Sequence, residues 1–242
     1  MNKASSRYVD FHTHILPNMD DGSSSVEDSI QMMYTSLRQG VCCIVATPHF
    51  YAGRDYPEHF LRKREQKLQE LKRAMPVSVP LVIPGAEVQY FDGITGMDAL
   101  SDMRIVGSPC ILIEMPFSVW SERMIQDLLE LQDRPGYLVV LAHIERYLRW
   151  QKESVWNRLA EAGVQMQVNA GCFCDRLTAG KAFHLLDQGL VHVLGSDCHN
   201  RTSRIPNLGQ ACEVIAKKRG EETVRKLMNN SIRMLLADGA DV

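Results

Sequence analysis

The residues of this 242-residue chain best suited to acid–base or metal chemistry fall in short clusters: Asp10-Phe11-His12-Thr13-His14, Thr47-Pro48-His49, Gly85-Ala86-Glu87, Glu114, His143 and Asp197-Cys198-His199. One residue separates His12 from His14, so on an extended strand both project to one side, as a chelating pair must; Asp197 and His199 repeat that spacing. A single such histidine is more often a hydrogen-bonded core residue than a ligand, and Glu87 or Glu114 alone reads as a solvated carboxylate. The ensemble reads differently, because burying so many ionisable groups together without a cation costs several kcal/mol per unpaired charge. Imidazole and carboxylate donors without thiolate suit Mn²⁺, Fe²⁺ or Zn²⁺. With Asp20 or Asp21 added, the donors are too many for one ion. Two or three ions sharing a bridging carboxylate, about 3.5–4 Å apart, would generate a hydroxide nucleophile and clamp an in-line displacement.

Such groups must be held by a scaffold, and the apolar pattern supplies one. Short runs rich in Val, Ile and Leu recur at Tyr8–Phe11, Cys42–Ala46, Leu81–Ala86, Cys110–Glu114, Tyr137–Ala142, Val164–Asn169 and His192–Gly195. They lack polar alternation, as parallel strands covered on both faces do. Between them Val26–Arg38, Pro57–Met75, Ser121–Leu131, Glu153–Ala162 and Thr178–Gln188 have helical periodicity, and Pro206–Leu236 reads as two more helices. Gly40, Gly163 and Gly189 stand just past helix ends, and Ser23–Ser25 precede the first helix. Strand–helix alternation of this length predicts a parallel α/β fold in one domain spanning residues 1–242, either a closed barrel or an open sheet. Five of the eight histidines lie at predicted strand C-termini, the edge where such folds build active sites.

Composition narrows the function. A net charge of −2, with 45% hydrophobic and 23% charged residues, is that of a soluble globular domain and gives no pull toward nucleic acid or acidic lipid. No apolar run is long enough to span a membrane. The start, MNKASSRYVDFHTH, lacks a secretory pattern, which predicts a cytoplasmic protein. Seven cysteines, an odd number without paired CxxC motifs, argue against disulfides and structural zinc.

The ordered motifs DFHTHILPNMDDG (10–22), GVCCIVATPHF (40–50), PGAEV (84–88), LIEMP (112–116), LAHIERY (141–147), QVNAG (167–171) and GSDCHN (195–200) resemble the PHP (polymerase and histidinol phosphatase) superfamily. Within it the chain is most similar to the bacterial manganese-dependent protein-tyrosine phosphatases of capsule and exopolysaccharide biosynthesis. The resemblance covers essentially the whole chain and implies a distorted seven-stranded (β/α) barrel of PHP type holding three metals, usually manganese, with iron or zinc as substitutes. It also implies that His12, His14, Glu87 and Asp197 hold one ion. Glu87 would bridge to a second with Glu114 and His143, and Asp21, His49 and His199 would hold the third, with Asp20 competing with Asp21. Asp10 would orient a histidine ligand by accepting its outer N–H, and Arg146 and Arg204 would bind phosphate.

The implied reaction is hydrolysis of phosphotyrosine by metal-bound hydroxide, the natural partner being an autophosphorylating bacterial tyrosine kinase of polysaccharide biosynthesis. A small-molecule phosphatase acting on histidinol phosphate and a low-turnover metal-binding scaffold of an export assembly are the alternatives. Cys198 to Arg204 also spells C-x5-R, the spacing of cysteine-dependent phosphatases. The intervening His199-Asn200-Arg201-Thr202-Ser203 lacks the glycines of a phosphate cradle, however, and strand alternation should turn Cys198 away from the metals. Aromatic residues on the loops after the second and third strands, Phe50, Tyr51, Tyr56, Tyr90 and Phe91, could line a phosphotyrosine slot or simply pack those loops.

Overall fold

In the computed structural model, which describes residues 8–236, nine short strands and eight helices alternate. In chain order they are β1 (Tyr8–Thr13), α1 (Val26–Arg38), β2 (Val41–Ala46), β3 (His49–Phe50), α2 (Pro57–Ala74), β4 (Leu81–Pro84), β5 (Glu87–Gln89), β6 (Cys110–Glu114), α3 (Glu122–Gln132), β7 (Leu138–Leu141), α4 (Glu153–Glu161), β8 (Gln165–Asn169), α5 (Gly171–Cys174), α6 (Ala179–Asp187), β9 (Val193–Gly195), α7 (Leu208–Arg219) and α8 (Glu221–Leu235). Residues 1–7, half of the start whose lack of a secretory pattern is an expectation from the sequence, lie outside the described residues. Among the described residues no helix is long and apolar enough to cross a membrane.

All ladders are parallel, and together they make a curled parallel sheet in an α/β fold. Strands β1-β2-β4 form one sheet and β3-β5-β6-β7-β8-β9 the other. This departs from the expected row of seven unbroken strands. Beyond the second run, Pro48, which has no N–H to give a ladder, splits off a short strand β3 from β2, and the Gly85-Ala86 step splits off β5, beyond the third run, from β4. Each split moves the chain from one sheet to the other. It makes His49 and Glu87 register partners at the start of the second sheet. At the far edge β9 meets β1: His14 N–H donates to the Cys198 carbonyl at 2.9 Å and Asp197 N–H to the His12 carbonyl at 2.8 Å, with an isolated bridge between Thr13 and Cys198.

The helices form where caps and periodicity direct them. The Ser25 hydroxyl accepts the Asp28 N–H at 3.1 Å, a cap worth about 1 kcal/mol, and α1 buries Met32 and Met33 against the sheet. Gly40, Gly163 and Gly189 all have positive φ, as αL helix stops do. A large apolar cluster lies between the sheets and the helices. A smaller one, including Val9, Phe11, Val45, Leu112, Val140 and Val193, takes alternate residues from five strands and fills the hollow of the curl; Met234 and Leu235 of α8 belong to it. The row Cys110–Leu112 continues, two residues on, to Glu114. The apolar interior thus gives way to donor groups at the strand C-termini.

Candidate metal centre

His12 of β1 and His14 just past its end are buried completely, and each outer nitrogen has a defined partner. His12 Nδ1 lies 3.1 Å from Gln167 Oε1, an oxygen that also accepts the His143 N–H at 2.7 Å. An amide oxygen only accepts, so His12 carries its proton on Nδ1. His14 Nδ1 meets Asp20 Oδ2 at 2.7 Å, and Asp20 is itself fixed by the Gly22 and His49 N–H groups, both at 2.9 Å. With the protons outside, the two Nε2 lone pairs point inward and stand 3.1 Å apart. Two imidazole nitrogens bound to one ion at about 2.1 Å each, at roughly a right angle, would stand about that far apart.

Glu87 occupies the middle of the cluster. Its Oε2 lies 3.1 Å from His12 Nε2, 3.3 Å from His14 Nε2 and 3.0 Å from His49 Nδ1, yet none of these contacts has hydrogen-bond geometry and the atom is buried without a partner. Its Oε1 faces His143 Nε2 at 2.9 Å, and Glu114 Oε1 approaches the same nitrogen at 3.4 Å. Asp197 Oδ1 lies 3.4 Å from His14 Nε2 and 3.7 Å from His12 Nε2. On the other side Asp21 Oδ1 sits 3.5 Å from His49 Nε2 and 3.4 Å from His199 Nε2. His199 Nδ1 donates to the Asp197 carbonyl at 3.0 Å, which leaves its buried Nε2 unpartnered as well.

Three overlapping donor groups result: His14, Asp21, His49 and His199; His12, His14 and Glu87; His49, Glu87 and Glu114. His143 and Asp197 border them through the contacts just given. The partition differs from the expected one in two respects, since His14 also reaches the Asp21 group and His49 also reaches Glu87. Asp20 and Asp21 take separate places. Asp20 is buried on the outer nitrogen of His14, whereas Asp21, 66% exposed, faces the imidazoles of His49 and His199.

The electrostatics call for positive charge. Burial disfavours a charged His14, but Asp20, Asp197 and Glu87 outweigh it and hold its pKa well above the usual range. Burial likewise opposes charge on His143, and Glu114 and Glu87 raise its pKa to about 9. Burial, followed by the neighbouring His14 and Arg204, lowers His199 to about 4 and keeps it neutral. Orphaned carboxylate and imidazole atoms facing one another in a buried cluster fit divalent cations of the nitrogen- and oxygen-binding kind.

Two arginines converge on the rim. Arg146 Nη2 donates to Asp197 Oδ2 at 2.6 Å and Arg204 Nη2 to Asp197 Oδ1 at 2.7 Å, both side chains remaining about one-third exposed. Two residues of the group have left-handed backbone, His143 at φ 35° and Asp197 at φ 52°. Conformations of that kind persist where the surroundings over-determine them. Because β9 ends at Gly195, it is this kink rather than strand alternation that aims Asp197 inward.

One expectation needs correction, and two others are resolved. Asp10 does not orient a histidine: its Oδ1 accepts the Ser196 N–H at 2.7 Å, and Gln167 and Asp20 take the outer nitrogens instead. Of the loop aromatics, Tyr51 stacks 5.1 Å from His49. Phe50 packs on Phe60 in the core, Tyr90 is buried and donates to Asp127 at 2.6 Å, Phe91 packs half-buried against the core, and Tyr56 points into solvent. Cys198 is fully buried in the apolar cluster, and burial, aided by the Asp10 charge, pushes its thiol far above the usual range. It presents no thiolate.

Other participants went unread. Gln167 Nε2 donates to Asn169 Oδ1 at 2.8 Å and Asn169 Nδ2 to Asp197 Oδ2 at 2.9 Å, a relay from His12 to Asp197. Their signal in the sequence is the alternation of three amides, Gln165, Gln167 and Asn169, with the apolar Met166 and Val168. Phe117, beside His143, carried no such signal.

Comparison with known proteins adds the relatives. The sequence profile of the capsular polysaccharide synthesis CpsB/CapC family matches residues 8–237. Tyrosine-protein phosphatase YwqE of Bacillus subtilis (strain 168) is 33% identical over 237 residues, covering 94% of this chain and 91% of that protein. Tyrosine-protein phosphatase CpsB of Streptococcus pneumoniae is 32% identical over 242 residues, covering 95% and 98%. A crystal structure from work on YwqE and CpsB, described as unique metal-dependent tyrosine phosphatases, superposes with a TM-score of 0.82 at 29% identity, over 96% of this chain and 95% of that one.

Proposed function

The chain belongs to the CpsB/CapC family of capsular polysaccharide synthesis, and from that premise we propose that it is a metal-dependent tyrosine-protein phosphatase. The observation that carries the reading is the ring of buried, unpartnered donor atoms around Glu87 with two arginines at its mouth. Bound divalent ions, proposed to be three and to be manganese, supply Lewis-acid polarisation of the phosphoryl group and activation of water. The proposed ligands are His12, His14, Asp21, His49, Glu87, Glu114, His143, Asp197 and His199. Asp20 and Gln167 hold the outer protons of His14 and His12, so that both imidazoles present lone pairs inward.

Arg146 and Arg204 bind the equatorial phosphoryl oxygens, where charge is spread in the transition state. Their contacts to Asp197 leave both guanidinium groups partly solvent-facing, with donors free for an incoming anion. A phenolate leaving group, whose parent pKa is about 10, departs without strong acid assistance. Cys198 takes no part. The barrel is proposed to have seven passages, reading β2 with β3 and β4 with β5 as single broken strands and the β1–β9 contact as the seam. Residues 1–242 are proposed as one cytoplasmic domain, and the substrate as an autophosphorylating tyrosine kinase of capsule synthesis.

The deciding experiment is turnover of a phosphotyrosine peptide against histidinol phosphate, before and after chelation. Chelation should abolish phosphotyrosine hydrolysis, and Mn²⁺ should restore it better than Mg²⁺, which disfavours imidazole-rich sites. The kcat/KM for the peptide should exceed that for histidinol phosphate at least tenfold, about 1.4 kcal/mol. Full activity in metal-free protein, or a reversed preference, would refute the reading.

A further inference from the structure

One large aromatic ring at the mouth of the centre is left open. Phe117, on the segment following β6, is 46% exposed and lies nearly parallel to the His143 imidazole, with centroids 6.1 Å apart and planes at 20°. It stacks on Tyr147 at 5.4 Å and leans toward Trp150 at 6.1 Å. Tyr147 is fully buried, and its hydroxyl accepts the Met115 N–H at 3.1 Å while lying 3.3 Å from His143 Nδ1. The ring beneath Phe117 is therefore fixed to the backbone after β6 and to a proposed ligand.

We propose that Phe117, flanked by Trp150, is the aryl subsite of the centre and selects phosphate esters of phenols over those of alkyl alcohols. The inference rests on the phosphatase reading and names the residue that gives it substrate class. Arg146, Arg204 and the metal ligands meet the phosphoryl group, which aryl and alkyl esters share, so they cannot discriminate between them. A phenyl ring is joined to phosphorus through a single ester oxygen, so when the phosphoryl group sits in the cluster the ring must lie at its mouth. There Phe117 presents a π face already aligned with His143, and aromatic pairs are attractive at centroid separations of about 4.5–7 Å. A seryl methylene in the same place offers no face to stack on.

Calorimetric binding of phenylphosphonate and methylphosphonate to the manganese-loaded protein tests this without turnover, because the probes share one head group. The wild type should bind the phenyl probe about tenfold more tightly. Phe117→Ala, and Phe117→Leu, which keeps the apolar bulk, should reduce that ratio to about twofold or less, with methylphosphonate affinity, manganese content and melting temperature unchanged. Phe117→Trp should restore it. An unchanged ratio in the folded, loaded Ala and Leu variants would overturn the proposal, as would equal loss of affinity for both probes. Failure of the wild type to hydrolyse phosphotyrosine would instead remove the phosphatase reading, leaving the phosphonate ratio to report on the subsite by itself.

Discussion

At the residue scale, neighbours in sequence have opposite fates, and that contrast separates the two phosphatase chemistries. Cys198 is buried and its thiol held protonated, whereas Arg204 reaches the rim through Asp197. Cys198→Ser should therefore keep activity within several-fold once folding and metal content are verified, while Arg204→Ala should lose roughly 10²–10³ in kcat/KM, about 2.7–4 kcal/mol. A folded, metal-loaded but dead Cys198→Ser enzyme would contradict the mechanism. Asp20 gives a second test. It orients His14 without facing the centre of the cluster, so Asp20→Asn should weaken metal binding about 10–100-fold, read by competition with a fluorescent chelator. The same substitution at Asp10, whose carboxylate accepts the Ser196 N–H and no imidazole nitrogen, should leave metal affinity near that of the wild type.

At the element scale, close backbone approach sets what β9 and α7 tolerate. A Cβ on Gly195 would stand 2.4 Å from His12 Cβ and 3.0 Å from Gln167 Nε2. One on Gly209 would stand 2.3 Å from the Gln39 carbonyl, at the start of α7 and outside the metal cluster. Both Ala variants should cost about 1–3 kcal/mol by overpacking, but only Gly195→Ala should also displace His12 and lower manganese affinity; thermal melts paired with metal titrations would show it. Much of this architecture is legible in sequence. The bounds of α1 follow from Ser25 and Gly40, and the donor clusters announce themselves because parallel strands place their chemistry at C-termini. The short strands His49–Phe50 and Glu87–Gln89 are less so, since they lie beyond the apolar runs, where the Pro48 and Gly85 steps transfer the chain between sheets. Least legible are the αL conformations of His143 and Asp197, because neither residue type demands positive φ, and the exchange of Asp10 for Gln167 and Asp20 as imidazole partners, which depends on a turn at Gly22.

At the scale of the whole molecule, one histidine outside the centre couples stability to pH. His192 Nδ1 accepts the Met166 N–H at 3.0 Å, and its carbonyl accepts Asn230 Nδ2 of α8 at 2.9 Å. Burial lowers its pKa below 6.5, so the folded state resists a proton that the unfolded chain takes readily. Its contribution is complete above about pH 6.5 and is lost as pH falls below that value, with a limiting slope of about 1.4 kcal/mol per unit. In saturating manganese, His192→Gln should flatten the decline in stability just below about pH 6.5, measured by urea unfolding at each pH; parallel curves for the two proteins would count against this assignment. The seam between β1 and β9 carries a different consequence, one of timing during synthesis. The ribosome makes His12 and His14 long before Asp197 and His199, and β1 gains its second neighbour only when β9 exists. A growing chain can thus display most of the proposed donor side chains before β9 exists to enclose an ion with them. Capture of the proposed ions would then wait until the β1–β9 seam has closed.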